Sequence, residues 1–387
     1  MQIKVCHQLS ELDALQWNAL TDGDNPFVRY EFLQALEQHD CLGPKHGWLP
    51  HHLVCFDDTG VQLLAALPLY LKDNSYGEFV FDWGWADAYQ RNGLEYYPKL
   101  VSCIPYTPAQ GPRLLIHDDV KEPDTMAHSL LAAAIQLAQQ QDCSSLHILF
   151  TEEEDTRHLR EHGLLMRMGV QFHWHNRAYK DFDDYLSHFS SKKRKNIRQE
   201  RRKVAESGIE IECLHGDDIN EGQWQRIYHF YQVTFHKKSG YPSLSLAFFQ
   251  AIAKQMPESL VVFMARHEGR YVAASICFRG DTGLYGRHWG CDEAFDSLHF
   301  ELCYYQGLEY AIKHGLQLFE PGAQGEHKIS RGFEPTRTWS GHWIAHPQFS
   351  QAIENHLQHE TGGMEQYHQE LTTHLPFKNI DGETADG

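Results

Sequence analysis

The chain is 387 residues long, 42% apolar and 12% aromatic, with a formal net charge of −18. That length and composition suit two globular domains with full cores and exclude a largely disordered chain. The acidity argues against DNA as a partner, and no apolar run reaches the about 20 residues of a membrane-spanning helix.

The opening MQIKVCHQLSELDALQW has no signal-type apolar core, so a cytoplasmic protein without a transmembrane segment is expected. A helix is predicted over Ser10–Leu20, with Ser10 as its cap, and another over Tyr30–His39. Two strands follow, His52–Phe56 and Val61–Leu71, joined by the turn Asp57-Asp58-Thr59-Gly60. Residues 78–85, EFVFDWGW, read as a strand. Pro105, Pro108 and Pro112 force loop into 101–115. Ala, Leu and Gln mark Thr125–Gln141 as a helix. Leu146–Phe150 reads as a buried strand, Glu153–His162 as a helix and Val170–Trp174 as a strand. The second half predicts helix Phe182–Phe189, a basic helix from Ser190 to Ser207, strand Ile209–Leu214, and helices Gly222–Lys237 and Leu246–Lys254. A hairpin (Leu260–Arg266 and Arg270–Arg279), strand Gly283–Trp289, helix Phe300–His314 and strand Leu316–Glu320 complete the pattern. This mixture of hairpins and helices predicts an α/β (α+β) protein whose mixed, largely antiparallel sheets are flanked by helices.

Residues 53–77, LVCFDDTGVQLLAALPLYLKDNSYG, recur as VFMARHEGRYVAASICFRGDTGLYG about 200 residues later. Gly60, Ala65, Tyr76 and Gly77 match Gly269, Ala274, Tyr285 and Gly286 at one constant spacing. Such a period is domain-sized and implies two tandem copies of one fold. The division expected is 1–177, 178–377 and a polar tail, 378–387. The second copy carries most of the charged groups, which assigns it the chemistry and leaves the first to close the groove.

Nine cysteines, scattered singly without a Cys-x-x-Cys pair, argue against a disulfide framework or structural zinc. Histidine occurs 27 times, but neither His-Glu-x-x-His nor a calcium loop is present, and no metal site is expected. Gly-x-Ser-x-Gly, Walker, dinucleotide and kinase signatures are also missing.

Four stretches draw attention as sites. The block SSKKRKNIRQERRK starts a helix with Lys192, Arg194, Lys195 and Arg198, which reads either as a phosphate-binding helix start or as a solvated face paired with acidic neighbours. The run FEPGAQGEHKISRGF places Glu320, Gln324, Glu326, His327, Lys328 and Arg331 in a glycine-studded loop after a buried strand, a plausible acid–base site. His288, His299 and Glu301 fall where a strand ends and a helix begins, the place where open α/β sheets collect ligands. In the first copy, Asp82 and Trp83, with Tyr106, Gln110 and Arg113 in PYTPAQGPR, read either as groove lining or as packing.

PYTPAQGPR, FHWHNRAY, the basic block and residues 298–333 together resemble the FemAB-like "peptidoglycan biosynthesis/recognition" family over roughly residues 20–375. The resemblance implies two tandem GNAT-type domains and acyl or aminoacyl transfer to an amine of a small or cell-envelope acceptor, with acyl-CoA or aminoacyl-tRNA as co-substrate and no tightly bound cofactor. Cell-wall precursors and tRNA are the partners it implies. Glu320 is then the first choice of base, ahead of His288 and His327. The other class of function is a non-catalytic protein binding peptidoglycan fragments or tRNA. GNAT enzymes hold the CoA pyrophosphate on a glycine-rich loop before a helix; here Asp292–His299 contains no glycine.

Overall fold

Met126, Leu130, Leu131, Ala134, Leu137 and Ala138 recur at helical spacing, and the helix Pro123–Gln140 that carries them is a wall of the main apolar core. The computed structural model describes residues 2–237, 240–323 and 325–378. The chain divides into two compact units. One comprises Met1–Val170, Tyr241–Leu260 and Arg337–Gln366; the other comprises Gln171–Gly240, Val261–Thr336 and Tyr367–Gly387. The units are interleaved along the chain, whereas the sequence reading divides it once, after residue 177.

In the first unit, strands Gln2–Cys6, His52–Phe56, Leu63–Leu67 and Leu115–Ile116 form an antiparallel sheet in that order. A second set runs Trp48–Pro50, Tyr70–Lys72, Lys99–Ser102, Ser145–Thr151 and then Glu334–Ile344, which pairs through Trp339–Ile344. Leu53, Leu67, Leu100, Leu146 and Ile148 pack against the Pro123–Gln140 helix. Helix Leu246–Gln255, drawn from later in the chain, packs on helix Tyr30–Gln38. There Phe248 meets Phe32 edge-on at 5.4 Å, and Ser245 Oγ donates to His39 O at 2.8 Å.

The second unit orders its strands Ile209–His215, Leu260–His267, Arg270–Arg279, Gly283–Cys291, Leu318–Glu320 and Leu165–His175. Gly283–Cys291 and Leu318–Glu320 pair in parallel, and every other pair whose register is resolved here is antiparallel. Parallel neighbours need a crossover, and helix Leu298–Lys313 supplies it. Its Glu301–Tyr305 stretch is a π-helical turn. Helix Glu221–Lys237 lies so close to the sheet that a Cβ at Gly290 would fall 1.8 Å from Phe230 O.

Several sequence expectations change. Ser10–Leu20 is a 3-10 turn at Leu9–Glu11 and a helix at Ala14–Asn18, capped by Asp13 accepting from Gln16 N at 2.9 Å. Val61–Leu71 breaks at Pro68, which has no N–H for the ladder. Residues 78–85 are not a strand. The chain there is irregular and then forms helix Trp83–Arg91, because Glu78 and Asp82 both turn inward to one lysine. The repeat holds at the hairpin, where Gly60 and Gly269 turn with φ of 74° and 77°. It parts afterwards: Tyr76-Gly77 is irregular, whereas Tyr285-Gly286 lies in a strand. Strand Glu334–Ile344 and helix Pro347–Thr373 had no counterpart in the sequence reading.

That lysine, Lys99, anchors a buried charge network in the first unit. Its Nζ donates to Glu78 and Ser75, both at 2.8 Å, and to Asp82. Tyr96 donates to Asp82 at 2.7 Å and touches His147, whose Nδ1 lies 2.7 Å from His342 Nδ1. Burial raises Glu78 to about 7 against the pull of Lys99. Burial acts on Asp82 too, but Lys99 and His147 overcome it and hold that carboxyl at about 2. Removing one member of a buried ion cluster strands the others. Lys99→Met should therefore lower unfolding stability by about 3–5 kcal/mol in urea titrations, whereas Lys4→Met, on an exposed strand position, should change it by less than about 0.5 kcal/mol.

Candidate active site

Ladder pairing between the two parallel strands of the second unit ends at Tyr285 and Glu320. Pro321 follows and lacks the N–H that would continue it. Gly286 keeps the backbones close, since a Cβ there would lie 3.3 Å from Pro321 Cα. Gly322, at φ 96°, then turns the chain into the 3-10 stretch Glu326–Arg331. The Glu320 carboxylate, 4% exposed, thus stands at the end of a buried strand beside a parallel neighbour and its crossover helix. Ligands of open α/β sheets bind at such strand ends.

The charges around Glu320 are linked in series. His173 Nε2 lies 3.9 Å from Glu320 Oε1. Burial, with the charges of His175 and Lys328, pushes His173 down to about 3, so this contact joins a neutral imidazole to the carboxylate. Burial lowers Arg287, on the adjacent strand, to about 10, with Glu320 acting in the opposite direction. Lys328 is 1% exposed, and its Nζ donates to Gly322 O at 2.6 Å. Burial brings its amine down to about 7; the Cys303 thiol opposes this and Arg287 adds to it. A lysine poised between its charged and neutral forms near neutral pH can both donate to and accept from a substrate.

An aromatic layer adjoins these charges. Tyr304 OH and His327 Nε2 are 2.7 Å apart. The His299 ring meets Trp289, Tyr304 and His327 at 5.3, 5.4 and 6.1 Å. The π-helical turn presents Tyr304 to His327 and Tyr305 to Glu200; such turns recur at functional sites.

Other predicted site residues are engaged in holding the fold. Arg331 donates to both Glu200 oxygens, at 2.8 and 2.9 Å, and to His327 O, and its guanidinium lies 3.5 Å over Phe300. Glu301 faces the basic helix, where Arg201 grips both of its oxygens. Glu326 accepts from Tyr367 OH at 2.6 Å. His288 keeps partial solvent access yet packs edge-on to Tyr231 at 4.8 Å, and burial pushes its pKa down. Gln324 lies outside the described residues.

The basic helix, Ser191–Glu206, divides into two parts. Its later residues are paired: Arg198 with Asp183 at 2.9 Å, Arg201 with Glu301 and Glu309, and Lys203 with Asp296. These groups also border a cavity of about 470 Å³, lined by Phe182, Asp183, Arg198, Arg201, Glu301 and Glu309. At the helix start Arg194 reaches Ser187 O at 3.5 Å. Lys192, Lys193 and Lys195 form no ion pair among the described residues. The reading of a face paired with acidic neighbours therefore describes the later part of the helix and not its start.

The first-copy candidates belong to the first unit. Arg113 is buried and donates to the carbonyls of Leu149, Pro112 and Ala109. Tyr106 OH donates to Cys41 O at 2.8 Å, and Gln110 Nε2 to Arg337 O at 3.4 Å. Asp82 belongs to the Lys99 network, which leaves Trp83 exposed beside Tyr76 at 5.2 Å. Here PYTPAQGPR ties a loop down. Sequence reasoning missed Glu200, Arg287, His173 and Tyr304 as neighbours of the loop. One signal was available: Glu200 is the lone acid among eight bases.

Residues 8–379 match the FemAB-like family model, described as peptidoglycan biosynthesis/recognition. Among solved structures, FemX is similar at TM-score 0.55 and 11% identity, over 92% of this chain and 100% of that one. The C-terminal domain of a putative lysylphosphatidylglycerol synthetase from Agrobacterium fabrum gives 0.54 and 11%, over 89% and 96%. L-PGS from Bacillus licheniformis gives 0.50 and 12%, over 87% and 98%. No curated protein sequence matches the chain. The α/β fold expected, with mixed, largely antiparallel sheets flanked by helices, is the fold found, and these structures share it.

Because Lys328 titrates near 7 when folded and near 10.4 when unfolded, the unfolded chain holds more protons between these values. The burial penalty is complete below pH 7 and is relieved as pH rises. Lys328→Met should remove that penalty. It should raise the urea midpoint at pH 6.5 and lose the advantage by pH 10, a difference on the order of 1–3 kcal/mol.

Proposed function

Starting from the fact that this chain belongs to the FemAB-like family, we propose that its second unit transfers an acyl or aminoacyl group to an amine of a peptidoglycan precursor. The observation that carries this reading is a buried carboxylate, Glu320, at the end of a parallel strand, followed in the next loop by a buried lysine, Lys328, whose amine burial brings to about 7.

The chemistry needs few groups. The acceptor amine attacks the donor's carbonyl carbon, a C–N bond forms, and the amine proton passes to Glu320 as base. Lys328 donates an N–H to the oxyanion of the tetrahedral intermediate. The bond to the leaving oxygen or sulfur then breaks, and that atom takes up the proton. His173 and Arg287 flank Glu320, and the His327–Tyr304 pair ties the loop to the crossover helix. His288 is a weaker choice of base, being packed against Tyr231.

Aminoacyl-tRNA is the donor that the charges favour. A CoA pyrophosphate would approach the start of helix Leu298–Lys313, and the segment before it carries Asp292, Glu293 and Asp296 without a glycine. Lys192 and Lys195, both exposed, and the half-buried Lys193 instead offer a basic surface at the start of another helix, suited to a polyanion.

Glu320→Gln should lower kcat for aminoacyl transfer by about 10²–10⁴-fold with little change in KM. Full turnover by that variant would remove Glu320 as base. Changing Lys192, Lys193 and Lys195 to Gln should weaken aminoacyl-tRNA binding and flatten the plot of log affinity against log salt by about 2–3. Binding of neither aminoacyl-tRNA nor acyl-CoA would leave the non-catalytic peptidoglycan-binding function.

A further inference from the structure

Far from the acyl-transfer residues in sequence, two helices of the first unit gather three histidines and three carboxylates. Asp124 and His128 lie four residues apart on helix Pro123–Gln140. Glu154, His158 and Glu161 recur at three- and four-residue spacing on helix Glu153–Glu161, and His162 follows as its cap. Each set thereby shares one helix face.

The donor atoms converge. His128 Nε2 is 3.7 Å from Glu161 Oε2, and His158 Nε2 is 3.5 Å from Asp124 Oδ1 and 3.9 Å from Glu154 Oε1. One donor atom each from His128, His158 and Glu161 lies within 4.8 Å of the others, and the same is true of Asp124, Glu154 and His158. The His128 and His162 rings stack at 5.3 Å, with their Nδ1 atoms 3.1 Å apart.

The protonation pattern points the same way. Arg157 donates to His158 Nε2 at 3.2 Å, so that nitrogen carries a lone pair and faces the cluster. His158 is 3% exposed, and its Nδ1 has no hydrogen-bond partner among the described residues. A neutral imidazole aimed at carboxylates is in the form that ligates metal. At present Arg157 holds the acids, bridging Asp124 at 2.8 Å, Glu161 at 3.0 Å and Glu154 at 3.7 Å. Its side chain is 43% exposed, so it can leave for water at little cost.

We propose that His128, His158 and Glu161 bind a divalent transition metal, Zn²⁺ foremost, in place of the Arg157 guanidinium, with Asp124, 3.5 Å from His158 Nε2, drawn in as a further donor. Imidazole with carboxylate suits zinc, nickel or copper, whereas calcium and magnesium prefer oxygen alone. Zinc holds its ligands at about 2.0–2.2 Å, so the donors must close by about 1 Å. His128, Glu161 and Asp124 are partly or largely exposed and have the side-chain freedom to do so. The ion would clamp the two helices to each other.

Calorimetric titration of the full chain with Zn²⁺ tests this. Wild type should bind one saturable equivalent more than either His128→Ala or Glu161→Gln, each checked for an unchanged circular dichroism spectrum. Arg157→Gln should bind that equivalent more tightly, because the competing cation is gone. The same stoichiometry in wild type and both variants, or weaker binding by Arg157→Gln, would overturn the proposal. The remaining histidines are common to all four proteins and cancel in the comparison.

Discussion

The ion pair between Arg331 and Glu200 holds the second unit's site together. Arg331 ends the 3-10 stretch that carries His327 and Lys328, and Glu200 lies midway along the basic helix. Tyr305, on the π-helical turn, donates to the same carboxylate. One acid thus fixes a loop, a helix and a crossover to one another. With the loop fixed, Lys328 stays buried against Gly322 O and its amine titrates near neutrality. A partly buried pair of this kind costs desolvation, and its benefit is geometric: it fixes register more than it adds stability.

The two units use buried charge differently. In the first, Lys99 is matched by Glu78 and Asp82, and Tyr96, His147 and His342 extend the network. Both carboxylates contact Lys99, which suits a scaffold, although burial still lifts Glu78 to about 7. In the second, Glu320 stands at a strand end with a neutral histidine beside it and a half-charged lysine in the following loop. A lysine near half-charge is able to exchange a proton with a ligand. Matching sequence letters do not predict this difference: Tyr76-Gly77 and Tyr285-Gly286 agree in type and differ in conformation.

Local order was readable where one signal dominated. Helices Pro123–Gln140, Glu221–Lys237 and Leu246–Gln255 and the hairpin about Gly269 follow from helical spacing and from a glycine in a turn. The segment 78–85 misled because its aromatic alternation imitates a strand, whereas the fate of Glu78 and Asp82 is set by Lys99, some twenty residues away. Helix Pro347–Thr373 escaped because its His, Gln and Glu residues give a weak apolar stripe. The FEPGAQGEHKISRGF run stands out in the sequence as a polar cluster after a buried strand, but its members could not be sorted by spacing alone.

By itself the sequence determined the α/β class, the family resemblance, the hairpin in each half and the loop that carries Glu320 and Lys328. These depend on neighbours within a few residues, or on motif letters. Tertiary structure decided which charges are partnered. It gave Arg331 to Glu200, Glu301 to Arg201 and Asp82 to Lys99, left Lys192 and Lys195 exposed, and brought His128 beside His158. The physical reason is that a side chain's charge state and availability follow from burial and from the opposite charges within a few ångströms, and in a folded chain those charges come from residues tens to hundreds of positions away.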